Sequence, residues 1–341
     1  MSAQKFLIIA PSWIGDCVMA QPLFALLRQR YPDAALHVFA PKWSMAVLKR
    51  MPEVAEVIEN PFGHGDVKLW QRYLCGRSLR AAGYARAIVL PGSLKSALVP
   101  FFAKIPVRSG FLGESRYALL NEIHHLDETR LPRMVDRFAA LAFSPQHDTL
   151  PEVPRPALTV NREEQTRSLQ NFALNDARPI AAFCPGAEYG AAKRWPPHHF
   201  AELAKMYAEK GYQIWYFGSH KDADIAAQII TFSGGIGTNL CGKTSLDEAI
   251  DLLALAKVVV CNDSGLMHVA AALGCRLVAL YGSSSPDHTP PLTDRAKIIS
   301  LNLDCSPCFE RTCPLGHTDC LEKLQPQQVA AAIEDLLTEA A

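Results

Sequence analysis

Two segments of this chain begin in the same way, and that duplication most restricts its fold. Lys5-Phe-Leu-Ile-Ile-Ala10 is a short, continuous apolar run, followed by the loop Pro11-Ser-Trp-Ile-Gly-Asp16 and a helical stretch to about Arg30. Pro179-Ile-Ala-Ala-Phe-Cys184 is another, followed by Pro185-Gly-Ala-Glu-Tyr-Gly190 and, after Trp195-Pro196, a helical stretch from Pro197 to Lys210. Strands that are apolar throughout, rather than at alternate positions, belong in a parallel sheet covered on both faces.

The pattern continues after each opening. Further strands are predicted at 36–40, 54–59 and 87–90, then at 213–217, 258–261, 277–281 and 297–301. Helical segments at 70–82, 94–103, 133–143, 222–232, 245–256 and 265–273 separate most of them. Such alternation predicts βαβ units and an α/β chain of two doubly wound, Rossmann-like domains. A length of 341 residues also calls for two. The stretch Leu150-Pro-Glu-Val-Pro-Arg-Pro156 cannot pair inside a sheet and is the best linker. The expected domains are 1–155 and 156–341. A helix at 162–172 opens the second, and the last helix, from Pro326 to Glu339, is able to pack back on the first.

Composition excludes several classes. With 49% hydrophobic and 20% charged residues, the chain is neither disordered nor fibrous. Only five apolar residues, Phe6 to Ala10, precede Pro11, too few for an export signal or a membrane span. A cytoplasmic protein with reduced thiols is expected. The net charge of zero divides into +6 for residues 1–150 and −6 for the remaining 191. The first half either suits an anionic partner or carries an uneven but solvated surface charge. Nucleic acid is not expected, for want of a zinc-finger or RNP signature or a dense basic run.

In doubly wound sheets ligands bind on the loops beyond the carboxyl ends of the strands, and a two-domain version places its substrate between the sheets. Three loops carry chemistry. Asp16 is either a helix cap or a carboxylate poised as a general base. In Gly186-Ala-Glu-Tyr-Gly-Ala-Ala-Lys193-Arg194-Trp195, small residues permit close backbone approach, and Lys193 and Arg194 suit phosphates. A solvated cation pair is the other reading. This loop is not a Walker A loop, since no Gly-Lys-Ser/Thr follows its glycines, and neither half holds a Gly-x-Gly-x-x-Gly, which argues against a dinucleotide. In Asn262-Asp263-Ser264-Gly265-Leu266-Met267-His268 a helix begins on Ser-Gly at a strand end, a ready anion site. His268, one turn in, is placed to donate to a phosphate oxygen, although cap and core roles remain open for Asp263 and His268.

These motifs resemble the lipopolysaccharide heptosyltransferases. The likeness lies in Pro11-Ser-Trp-Ile-Gly-Asp-Cys-Val-Met-Ala, Pro185-Gly-Ala-Glu-Tyr-Gly-Ala-Ala-Lys-Arg-Trp-Pro and Asn262-Asp-Ser-Gly-Leu-Met-His-Val-Ala-Ala-Ala-Leu. Ser93-Leu-Lys-Ser-Ala-Leu-Val-Pro, Gly113-Glu-Ser-Arg-Tyr-Ala-Leu-Leu-Asn121 and Ser284-Ser-Pro-Asp-His-Thr-Pro-Pro291 match too, so it runs from residue 5 to about 300. It implies a GT-B fold with two domains facing a central cleft. It also implies transfer of L-glycero-D-manno-heptose from ADP-heptose to an inner-core heptose, with inversion and without a required cofactor. Asp16 is then the base. Lys193, Arg194, Asp263, Ser264, Gly265 and His268 bind the donor, with Asp222 on the ribose and Thr244 near the adenine.

The implied acceptor, heptosyl-Kdo2-lipid A, is anionic and membrane-bound, so Lys95, Arg108 and Arg116 are its expected contacts. The basic, amphipathic segment Trp70–Arg80 either touches anionic headgroups of the inner membrane face or covers the first sheet. Other readings are a nucleotide-sugar 2-epimerase and a two-domain binding protein without chemistry.

Four thiols, Cys305, Cys308, Cys313 and Cys320, fall within sixteen residues. They suit a structural zinc ion or form a loop of unbound thiols.

Overall fold

The computed structural model describes residues 4–63, 65–147 and 149–339. The chain divides into two compact units, Met1–Pro156 and Ala157–Ala341, each with its own sheet.

The first unit runs β1 (Lys5–Ile9), α1 (Ile14–Met19), α2 (Gln21–Arg30), β2 (Ala35–Pro41), α3 (Met45–Lys49) and β3 (Val54–Asn60). It continues with α4 (Leu69–Leu79), β4 (Arg86–Val89), α5 (Leu94–Phe102), β5 (Val107–Phe111), β6 (Glu122–His124) and α6 (Met134–Ala140). Its parallel strands lie in the order β3-β2-β1-β4-β5-β6. β1 is buried from Phe6 to Ile9 because strands pair on both sides of it and helices cover both faces. β3, at an edge, exposes charged side chains, which discourages further pairing.

The second unit holds α7 (Arg162–Asn171), β7 (Ile180–Cys184), α8 (Pro197–Glu209), β8 (Gln213–Tyr216), α9 (Ala223–Phe232), β9 (Thr238–Asn239) and α10 (Leu246–Leu253). Then come β10 (Val258–Asn262), α11 (Gly265–Ala272), β11 (Leu277–Leu280), β12 (Ala296–Ile299), α12 (Asp319–Glu322) and α13 (Pro326–Thr338). The strand order β12-β11-β10-β7-β8-β9 repeats the permutation of the first sheet. In each, chain direction across the sheet reverses between the first and fourth strands, β1/β4 and β7/β10. That is the switch point at which such sheets open a crevice for ligands.

Some elements depart from the sequence reading. The helical stretch ending at Arg30 is two helices meeting at Ala20, where Pro22 opens α2 and supplies no N–H to the preceding turn. β5, β6 and β9 were not predicted: β5 contains Arg108 and Gly110, and the other two are three and two residues long. The last helix packs within the second unit. Val329, Ala330, Ile333 and Leu336 of α13 are buried in the second unit's core, beside α8, β11 and β12.

Helix α4 covers the first sheet with its inner side. Gly76 lies against the Val99 carbonyl and Phe102 of α5, and Tyr73 meets the Phe102 ring edge-on at 5.4 Å. Its outer side leaves Leu69, Trp70 and Leu74 exposed. Among the described residues, no helix is long and apolar enough to cross a membrane.

Candidate active site

Parallel pairing of β7 with β10 sets Cys184 opposite Cys261. The loops leaving the two strands therefore emerge side by side at the switch point. One is 185–196, the other 262–264. Asn262 ties them together. Wholly buried, it donates through Nδ2 to the Pro185 carbonyl at 2.8 Å and accepts the Trp195 N–H on Oδ1 at 3.1 Å. Both ends of the Lys193 loop are thus held by one side chain of the neighbouring strand.

Inside this clamp Lys193 Nζ donates to Asp263 Oδ2 at 2.5 Å. Asp263 is 6% exposed and Lys193 17%. Taking such a pair out of water is costly, and only close mutual geometry offsets that cost. The ammonium also sits 5.0 Å from the Tyr189 ring centroid. His268 completes the cluster from the first turn of α11. Burial pushes its pKa down to about 4, against the pull of Asp263 and reinforced by Lys193. It is therefore a neutral imidazole at pH 7, able to donate an N–H but supplying no charge. The positive charge of the cluster is that of Lys193. Ser264 is the N-cap residue of α11 but makes no side-chain cap; its hydroxyl lies 3.3 Å from Cys261 Sγ. The positive end of the helix begins at Gly265, beside Asp263 and His268.

Loops further along the sheet touch in turn. A Cβ on Gly186 would overlap the Asp222 carboxylate, and one on Gly242 would overlap His220. Asp222 is buried and accepts both the N–H and the hydroxyl of Ser219 in a capping box. The carboxylate therefore sits directly against the Gly186 turn. Thr244 is half-buried after β9, its hydroxyl 3.4 Å from the Leu240 carbonyl. Arg194 donates to the Ala187 carbonyl at 3.3 Å, while its buried Nε has no partner. It is half-buried and braces the loop through that bond.

In the first unit the same geometry sets the Asp16 loop, after β1, next to 90–93, after β4. The cap reading of Asp16 is corrected. α1 starts two residues earlier, at Ile14, with Trp13 as its N-cap and no side-chain capping bond. Asp16 is the third helical residue, half-buried, in a first turn where negative charge is favoured. Trp43 Nε1 donates to the Ser12 carbonyl at 2.8 Å and fixes the loop leading to it.

Two expected acceptor contacts hold parts of the first unit together, and one of them is wholly buried. Arg116 is 1% exposed, and its guanidinium donates to the carbonyls of Pro91, Ser93 and Phe111 and to Ser96 Oγ. Burial lowers its pKa to about 10, still charged. It staples the loop after β4 to β5 and offers no face to an outside anion. Arg108 donates to the Leu119 and Ile105 carbonyls and lies over the Phe101 ring. Lys95 remains half-buried on the first turn of α5.

Residues that the sequence reading did not single out are Asn262 and Tyr189, with Ser283 and Ser284 after β11, whose buried hydroxyls have no partner. A separate trio, His198, His199 and Glu322, brings three ligand-type atoms within 4.8 Å of one another.

Residues 72–319 match the family model for glycosyltransferase family 9 (heptosyltransferase). The chain belongs to this family. As a family 9 glycosyltransferase it is an enzyme. It is 46% identical over 342 residues to lipopolysaccharide heptosyltransferase 2 of Escherichia coli strain K12, covering 98% of each chain. Identity to lipooligosaccharide heptosyltransferase 2 of Haemophilus influenzae is 49%, over 87% of this chain and 88% of that one. The solved structure of the E. coli ADP-heptose lps heptosyltransferase II superposes with a TM-score of 0.90 at 44% identity, covering 99% of both chains. The two six-stranded parallel sheets are those of the GT-B fold. Family membership sets aside the epimerase and the non-catalytic binding protein.

Proposed function

We propose that this enzyme transfers L-glycero-D-manno-heptose from ADP-heptose to the inner-core heptose of heptosyl-Kdo2-lipid A, inverting the anomeric centre. The observation that carries the donor half is the Lys193–Asp263 pair beside His268, at the paired ends of β7 and β10. The close relatives named for this activity support the rest.

The chemistry follows from the groups present. An acceptor hydroxyl gives its proton to the Asp16 carboxylate while its oxygen forms a bond to the anomeric carbon. The bond from that carbon to the β-phosphate oxygen breaks, and ADP leaves with the electron pair. Lys193, the first-turn N–H groups of α11 and the neutral N–H of His268 bear the charge growing on the diphosphate. Asp263 holds the ammonium in place before the donor arrives. Of the three expected acceptor contacts, Lys95 and Arg108 are half-buried and stay open to the acceptor, whereas Arg116 is wholly buried. No step calls for a metal on the diphosphate, so turnover in magnesium-free buffer should equal turnover with magnesium added.

The acceptor is a lipid, and Trp70 with its exposed neighbours on α4 suits peripheral contact with the anionic cytoplasmic face of the inner membrane. The test of function is direct. Incubation with ADP-heptose and heptosyl-Kdo2-lipid A should release ADP and add one heptose. Stabilisation by UDP but not by ADP, without transfer, would refute the reading.

A further inference from the structure

The reaction leaves four cysteines unexplained. Cys305, Cys308 and Cys313 lie on a stretch without helix or strand, residues 300–318, and Cys320 lies in α12. Irregular segments of this length inside a compact unit need something other than backbone pairing to fix them. All four are free thiols and half-buried.

They share one cavity. Cys305, Cys308, Cys313 and Cys320 line about 20 Å³ of free space, together with Ser283 and Thr318. That is room for one water-sized particle. Cys305, Cys308 and Cys313 are all within electrostatic range of Cys320. Around Cys313 the chain turns back on itself, the Gly316 N–H donating to the Cys313 carbonyl at 3.1 Å. The spacing, Cys-x2-Cys-x4-Cys-x6-Cys, lets a short loop wrap a tetrahedral centre.

The same loop grips the donor side. Arg311 accepts the Ala192 N–H on its carbonyl at 3.1 Å, and a Cβ on Gly190 would overlap that carbonyl. Tyr189 Oη donates to the Phe309 carbonyl at 2.8 Å, and the Arg311 guanidinium lies 5.0 Å from the Tyr189 ring centroid. Phe309 and Arg311 lie between Cys308 and Cys313, so whatever fixes the cysteines fixes these contacts.

We propose that Cys305, Cys308, Cys313 and Cys320 bind one structural zinc ion, and that the closed loop braces the Lys193 loop for the donor. Each thiol gives its proton to solvent as it ligates. The sulfurs line their cavity more widely than the 4.8 Å grouping of His198, His199 and Glu322, and zinc–sulfur bonds of about 2.3 Å draw them inward. The histidine trio is the weaker candidate. His199 Nε2 already pairs with the Glu322 carbonyl at 2.8 Å, and His198 and Glu322 are exposed. The bracing half of the proposal rests on Lys193 as a donor contact; the metal half does not.

The full chain, purified without chelator or metal-affinity steps, should carry about one zinc by elemental analysis. Cys308→Ser with Cys313→Ser should lose it and unfold at lower temperature, whereas His198→Gln should keep it. Because the cysteine variant is open to misfolding, cobalt(II) titration of the wild type provides a second reading. Intense tetrahedral thiolate–cobalt absorption at one equivalent is expected. A chain without zinc that gives no such bands, iron in place of zinc, or zinc lost only from His198→Gln would overturn the site. ADP affinity should fall at least several-fold on zinc removal. Unchanged affinity would overturn the brace while leaving the metal, and a wild type blind to ADP would fault the donor reading instead.

Discussion

The ammonium of Lys193 and the carboxylate of Asp263 meet at 2.5 Å across two loops whose strands, β7 and β10, are neighbours in the sheet but far apart in sequence. The pair joins the cation expected of a phosphate site to the loop that opens α11. Removing the cation should therefore hurt twice. Lys193→Met should weaken ADP binding roughly 10- to 150-fold, the equivalent of about 1.5–3 kcal/mol for a charge-assisted bond. It should also lower the thermal midpoint, because Asp263 is left buried without its partner. Calorimetric ADP affinity equal to wild type would remove Lys193 from the phosphate site.

His268 should make stability depend on pH. Its folded pKa, about 4, lies below the ordinary 6.5, so the unfolded chain binds a proton that the folded chain refuses. The contribution is complete above pH 6.5 and is lost progressively as pH falls towards 4. The full span is about 3 kcal/mol on a value of about 1.4 kcal/mol per pKa unit. Denaturant unfolding of His268→Gln from pH 7 to 4 should show a flatter fall than wild type. Parallel curves would mean that the imidazole is not held neutral.

Arg116→Glu should fail as a test of acceptor binding, because the residue is a staple. It places a carboxylate among the Pro91, Ser93 and Phe111 carbonyls that the guanidinium now serves. Loss of several kcal/mol is expected, as for a buried charge stripped of its partners. Circular dichroism melts should show early unfolding. A variant of normal stability with only a raised acceptor KM would restore the residue to the surface.

Asn262 gives a contrasting case, a side chain with no ligand role whose loss should still cost affinity. Asn262→Ala frees the Pro185 carbonyl and the Trp195 N–H, each a buried group worth about 1–3 kcal/mol when unpaired. Both the melting temperature and ADP affinity should fall, with Lys193 intact. ADP affinity unchanged in a destabilised protein would show that the loop holds its shape without the clamp.

The sheets were legible because their central strands are apolar throughout, and the loops because they follow those strands. Lys193, Asp263 and His268 were found for that reason, and the structure brings them together. Burial was not legible. Arg108 and Arg116 read as surface cations beside matching motifs, but only the packing of β4 against β5 shows their donors facing carbonyls. Asn262 looked like a strand end, and nothing local announces that its amide spans another loop. The cap reading of Asp16 was displaced by three residues, since no capping side chain marks where α1 begins.

The central claim is that Asp16 takes the acceptor's proton. Because Trp13, not Asp16, holds the N-cap, Asp16→Asn should cost at most about 1 kcal/mol of stability from the weakened charge at the helix start. Asparagine cannot accept the proton, so turnover should fall roughly 10²–10⁴-fold. ADP affinity should not change, since the nucleotide loops belong to the second unit. The decisive measurement is kcat of Asp16→Asn with ADP-heptose and heptosyl-Kdo2-lipid A, beside its calorimetric ADP affinity. A large loss of kcat with unchanged affinity is the result predicted here, and near-normal kcat in a folded variant would contradict it.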